Sequence, residues 1–154
     1  MIEVIKEGVI EIENSAYLNR VDIDEVRFPN SLKIIKGKAF SGCFSLKVII
    51  FPRGIERIGD EAFAKVKGIF FIPNSIKYIG REAFAKGSEL YFEGEEKSFD
   101  SYYHVEQYAD YPFDYYRGPS MGMSYDITRF YEYGASVHYN ILLEDFMKIV
   151  EESL

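Results

Sequence analysis

Gly118-Pro119-Ser120-Met121-Gly122 spells the G-x-S-x-G string of a nucleophile elbow, and Asp126, Glu132 and His138 follow in the serine, acid, histidine order of the α/β-hydrolases. The chemistry would be acyl transfer, with the serine attacking a carbonyl and the histidine taking its proton. The context opposes it. Such an elbow needs a buried apolar strand before the serine and a helix after it, whereas Asp114-Tyr115-Tyr116-Arg117 precedes and Ser124-Tyr125-Asp126-Ile127-Thr128 follows. There is also no room for the parallel hydrolase sheet, so the string reads as a glycine-rich turn. His104 and Glu106 mimic half of the zinc-deaminase H-x-E signature, but no Cys-x-x-Cys completes it. One cysteine and two histidines make no metal cage. No phosphate-cradling glycine loop is present. The sequence therefore assigns no catalytic residue, metal or cofactor, and the expectation is that the protein is not an enzyme.

What recurs in the chain is structural. Phe28-Pro29-Asn30-Ser31-Leu32, Phe51-Pro52-Arg53-Gly54-Ile55 and Ile72-Pro73-Asn74-Ser75-Ile76 are followed, at one offset from the proline, by Ala39-Phe40, Ala62-Phe63 and Ala83-Phe84. Pro29 to Pro52 is 23 residues and Pro52 to Pro73 is 21. A period of this size marks a solenoid, whose unit buries its apolar face only by stacking on its neighbours. Leu32, Ile55 and Ile76, then Ile35, Ile58 and Ile79, then the Ala-Phe pairs, are core columns. The alanines let backbones approach, and the rings stack between coils. Val9, Ile12, Ala16 and Tyr17 hold the same offsets after Lys6 and form a degenerate first unit.

Before each proline lies a short β segment: Val26-Arg27-Phe28, Ile49-Ile50-Phe51, Phe70-Phe71-Ile72, and finally Leu90-Tyr91-Phe92. Alternation sends the first and third residues inward and the middle one outward. Strands stacked about 4.8 Å apart build a parallel sheet along one face.

From Leu46 and Ile49 through Phe51-Pro52, Ile55, Ile58-Gly59 and Ala62-Phe63, with Cys43 at the cysteine position, the columns over about residues 5 to 94 resemble the BspA-like leucine-rich repeat. Val66 and Gly87 depart from its cysteine and Lys36 from its glycine. The resemblance implies an α/β-type repeat solenoid, a leucine-rich-repeat coil with a parallel sheet on one face, acting as a non-enzymatic scaffold that binds another protein through that face. Its cysteine column makes Cys43 a buried, inert thiol. Family members are often secreted or surface adhesins. That role is not carried over, because Met1-Ile2-Glu3-Val4-Ile5-Lys6-Glu7-Gly8 lacks the basic start, apolar stretch and cleavage site of a secretory signal. A single cysteine suits a reducing compartment, and the expected location is cytoplasmic.

Charge divides the chain. Residues 1 to 94 carry 14 Lys+Arg and 13 Asp+Glu, while residues 95 to 154 carry 4 and 12. An acidic tail repels a nucleic-acid duplex or a membrane surface and attracts a basic protein. Lys33, Lys36, Lys38, Lys65, Lys67, Lys77, Arg81 and Lys86 read as a solvated surface off the sheet face.

On the sheet, the outward positions are Glu25 and Arg27, Val48 and Ile50, Ile69 and Phe71, then Glu89 and Tyr91. This apolar stripe exceeds what a monomer ordinarily leaves open. Residues 95 to 154 supply a cover: an acidic cap holding ten of the thirteen tyrosines, packed on the array of residues 1 to 94. Strands are expected within Tyr125 to Tyr133, then a helix capped by Asn140 with Leu142, Leu143, Phe146, Ile149 and Val150 on its apolar face. The expected protein-binding site is Val48, Ile50, Ile69, Phe71 and Tyr91, flanked by Tyr102, Tyr103, Asp110, Tyr111, Asp114 and Tyr115 of the tail. Two further uses compete: a homodimer through the sheet face, and a small acidic inhibitor or immunity-type protein that blocks the basic site of a toxin, nuclease or other nucleic-acid enzyme.

Overall fold

Residues 1–95 and 135–153 are described by the structure, a computed structural model. Each coil begins with a strand of the main face: β1 (Ile2–Val4), β3 (Glu25–Arg27), β5 (Val48–Ile50), β7 (Ile69–Ile72) and β9 (Glu89–Phe92). After the proline the chain turns, with the Leu32, Ile55 and Ile76 amides donating to the Pro29, Pro52 and Pro73 carbonyls. It then enters a two-residue strand: β2 (Glu11–Ile12), β4 (Ile34–Ile35), β6 (Arg57–Ile58) or β8 (Tyr78–Ile79). These four form a second parallel sheet, in the order β2-β4-β6-β8, which the single-sheet reading of the sequence missed. Its inward column is Ile12, Ile35, Ile58 and Ile79, all buried.

Two further turns close each coil, and each uses one left-handed residue. Ser15, Lys38, Glu61 and Glu82 hold φ between 53° and 57°. Four residues later the same conformation recurs at Asn19, Gly42 and Lys65, and Gly87 takes it in the coil of β7 and β8. Left-handed backbone costs a non-glycine residue about 1–2 kcal/mol. Hydrogen bonds between coils offset this: Lys38 N–H donates to the Asp60 carbonyl, Glu61 to Arg81, and Gly42 to Ala64. Gly42 also has no room for a side chain, since a Cβ there would overlap the Asn19 carboxamide.

The core between the sheets is two interlocked ladders of rings. Tyr17, Phe40, Phe63 and Phe84 stack with centroids 4.9, 5.1 and 6.2 Å apart and planes within 13°. Phe28, Phe51 and Phe70 stack beside them at 5.8 and 6.1 Å. Edges of the second ladder meet rings of the first, as Phe28 with Phe40 at 88° and Phe51 with Phe63 at 73°. Each such contact contributes about 0.5–1.5 kcal/mol beyond burial of its area. The coil of β7 keeps the ladder by exchanging sizes: Phe70-x-Ile72 stands where that of β5 has Ile49-x-Phe51. Serines tie coils together, Ser31 Oγ donating to the Val9 carbonyl and Ser75 Oγ to that of Ile55, which is the use of the Pro-x-Ser word. Cys43 is fully buried, as the sequence implies, with its Sγ 3.1 Å from the Tyr17 carbonyl. Lys36 is not simply solvated: its ammonium pairs with Glu11 and Glu13, and its side chain is mostly covered.

After residue 134 the chain adds β10 (Ser136–His138) beside β9, also parallel, placing Val137 opposite Leu90 in the inward column. The strands expected within Tyr125 to Tyr133 lie outside the described residues. Helix α1 (Leu143–Ser153) follows and packs on the outward side of the main sheet.

Candidate functional site

Strand register aligns Val4 with Arg27 on the β1–β3 pair, and Ile50, Phe71, Tyr91 and His138 in one outward column of the four-stranded sheet β10-β9-β7-β5, with Val48, Ile69, Glu89 and Ser136 beside it. The chain leaves β10 through Asn140, whose φ of 61° is left-handed. Asn140 N–H donates to the Gly94 carbonyl and Ile141 N–H to that of Phe92, so the turn is pinned to the end of the last coil. Asn140 therefore bends the chain back over the sheet and does not cap the helix. The first helical bond is accepted by the Leu142 carbonyl, from Phe146. Glu144 and Asp145 in the first turn suit the positive end of the helix dipole.

The helix seats Phe146 and Val150, one turn apart, on the sheet. Phe146 is fully buried, and its ring lies 5.4 Å from that of Phe71 and 5.6 Å from that of Tyr91. With Leu143 and Ile149 at the margin, these residues form a second core, separate from the one between the sheets. Leu142, expected on the apolar face, is exposed, because the helix begins only after it. Burying Phe146 and Val150 contributes about 1.5–3 kcal/mol each before the cost of ordering is subtracted.

This helix sets the exposure of the stripe. Phe71 is 1% exposed and Tyr91 6%, so neither lies open on the surface; Val48, Ile50 and Ile69 are half-buried. The physical reason is the amphipathic helix that the tail supplies in cis. Tyr91 is held further: its hydroxyl donates to Glu89 at 2.9 Å and His138 stacks on its ring at 4.4 Å. Burial, with the Glu89 carboxylate second, pushes its phenol up to about 12. The sequence reading missed His138 in this role and β10 altogether, although Val137 and Tyr139 facing in around an outward His138 are the alternation of a strand.

Helix α1 is narrower than the face. Between it and β3 remains a groove of about 480 Å³ lined by Arg27, Glu25, Val48, Ile50, Met147 and Val150. Arg27 and Glu25 pair across its rim at 2.8 Å, and Met147 is 41% exposed. A second hollow, of about 310 Å³, lies under the C-terminal end of the helix, where Lys47 and Lys67 approach Val150 and Ser153. Tyr102, Tyr103, Asp110, Tyr111, Asp114 and Tyr115 lie outside the described residues, as do the Gly118 to Gly122 string and the His104–Glu106 pair. Among the described residues no three His, Cys, Asp or Glu side chains converge as metal ligands, and no helix is long and apolar enough to cross a membrane.

A stacked leucine-rich-repeat coil is also what the comparisons with known proteins find. The crystal structure of a leucine-rich repeat protein from Bacteroides ovatus ATCC 8483 superimposes with a TM-score of 0.56 at 21% identity, over 89% of this chain and 30% of that one. This chain thus spans under a third of that protein's length, and the likeness is one of fold. No curated protein matches the sequence. Residues 4–113 match the BspA type leucine rich repeat region (6 copies). Since that stretch takes in the whole repeat array and most of the sequence, the chain belongs to the BspA-type leucine-rich repeat family.

Proposed function

We propose that the protein is a non-enzymatic binding module that holds another protein on the main sheet face. The array of residues 1 to 94 is the scaffold, and residues 95 to 154 form a cap that shapes the surface. The observation that carries this reading is the groove of about 480 Å³ left open beside α1, floored by Val48 and Ile50 and walled by Met147. An apolar floor with a charged rim is the arrangement of a protein contact centre, and leucine-rich repeats typically serve as protein-interaction modules. Ile69 borders the same contact, while Phe71 and Tyr91, buried beneath the helix, support its seat.

The charge division of the sequence favours a second contact. The acidic tail, with Tyr102, Tyr103, Asp110, Tyr111, Asp114 and Tyr115, is suited to a basic partner, including the basic site of a nucleic-acid enzyme in the inhibitor reading. Affinity capture with the full chain as bait, at low and high salt, tests both. Loss of the captured protein in Ile50→Glu, with little effect of salt, supports the sheet face. Loss with salt alone supports the acidic tail. A capture that neither change disturbs sinks both.

A further inference from the structure

The occupant already seated on the sheet face shows what chemistry that face accepts. Helix α1 presents Phe146 and Val150 one turn apart to Phe71 and Tyr91. Its C-terminal end, at Val150 and Ser153, lies over the hollow lined by Lys47, Lys67 and Glu89, while Glu151 and Glu152 are exposed. The two lysines suit the negative end of the helix dipole. The fit is nevertheless partial. Val48 and Ile50 stay half-buried, Met147 remains 41% exposed, and a groove of about 480 Å³ runs alongside. Nor is the helix part of the coil's interior, because Phe71, Tyr91, Phe146 and Val150 form a core of their own while the ring ladders between the sheets stay closed without them. The bend at Asn140 separates α1 from β10, which is held on β9 by its own ladder.

We propose that the face is a receptor for an amphipathic helix of a partner protein, and that α1 is the intramolecular occupant which such a helix displaces. This rests on the protein-binding reading above and names the partner's chemistry: two large apolar anchors one turn apart, a third apolar residue on the side of Met147 to fill the groove over Val48 and Ile50, and a helix C-terminus over Lys47 and Lys67. Helix-in-groove recognition is read out by anchors at this spacing. A partner with the third anchor covers more of the face than α1 does, which gives it the advantage needed to compete with a tethered helix.

The test is a fluorescein-labelled peptide of residues 140–153, followed by anisotropy against the full chain. The wild-type chain should bind it weakly, because its own helix fills the seat. A Phe146→Ala full chain, with the seat vacated, should bind about ten-fold or more tightly, since apparent affinity scales with the fraction of open receptor. Adding Lys47→Glu and Lys67→Glu to that chain should abolish the gain. A Phe146→Ala chain that still unfolds cooperatively yet binds no better than wild type overturns the proposal. Should that variant fail to fold, hydrogen exchange on the wild-type chain decides. Amides of α1 must exchange ahead of those of β7 and β9, and exchange in one step with the coil overturns the idea. If the peptide fails while Ile50→Glu still loses the captured protein, the helical partner falls and the binding module stands; if capture is also indifferent to Ile50, both fall.

Discussion

Phe146 of the terminal helix and Phe71 of β7 meet with ring centroids 5.4 Å apart and planes tilted by 51°. The contact joins residues 75 positions apart in the chain and holds α1 on the sheet. Truncating a buried phenylalanine to alanine typically costs about 3–5 kcal/mol, more than the burial of Val150 returns. Phe146→Ala should therefore release α1 while the coil survives. Far-UV circular dichroism should lose helical signal with the main thermal transition retained, and a loss of the whole transition would show that the helix belongs to the coil's folding unit.

The ring ladder behaves differently. Phe63 touches Phe40, Phe51, Phe70 and Phe84 and is fully buried. Phe63→Ala should cost about 3–5 kcal/mol, a large part of the stability of a domain this size. Chemical denaturation with an unchanged midpoint would show that the ladder is not what holds the coils together.

Tyr91 makes the helix seat sensitive to alkali. Its folded pKa of about 12 lies above the ordinary value of 10.0, because burial and the Glu89 carboxylate disfavour the phenolate. A raised folded pKa means the stabilisation is fully present below pH 10 and is lost as pH climbs toward 12. Other tyrosines titrate in the same range, so the comparison is with Tyr91→Phe. The wild-type chain should lose stability more steeply than the variant between those values, and parallel curves would remove Tyr91 from the linkage.

Cys43 should be silent in the folded protein. Burial pushes its thiol up, and its Sγ lies against the Tyr17 carbonyl at 3.1 Å. The thiolate is the reactive form, so a thiol-reactive dye should label it only as fast as the coil opens. Rapid stoichiometric labelling under native conditions would contradict this packing.

Deleting residues 95 to 154 should bare both Phe71 and Tyr91 and the free edge of β9, to which β10 is paired. Exposed edges and apolar faces associate. Aggregation in light scattering is the expected result, and a soluble, cooperatively folded fragment of residues 1 to 94 would refute it.

The coil itself was legible in the order of residues. Pro29, Pro52 and Pro73, the Ala-Phe pairs and the isoleucine columns recur because every coil must fill the same interior, so one local rule written several times announces the core. Strand alternation likewise placed Phe71 and Tyr91 opposite to Phe70 and Leu90, since a period of two needs no knowledge of the partner strand. The left-handed columns at Lys38 and Glu61 were not legible, because lysine and glutamate adopt that backbone only where bonds from the neighbouring coil hold it. The short sheet from β2 to β8 escaped for a related reason: two residues carry no period of their own, and only stacking makes them strands. The start of α1 was misplaced at Asn140 because an asparagine before an apolar run serves equally well as a cap or as a left-handed turn, and the bonds to Phe92 and Gly94 decide between them. The local pattern showed that the helix was amphipathic and that the sheet had an apolar stripe. Only the tertiary structure decided that one covers the other, because burial between segments so far apart depends on the path of the chain, which no periodicity encodes.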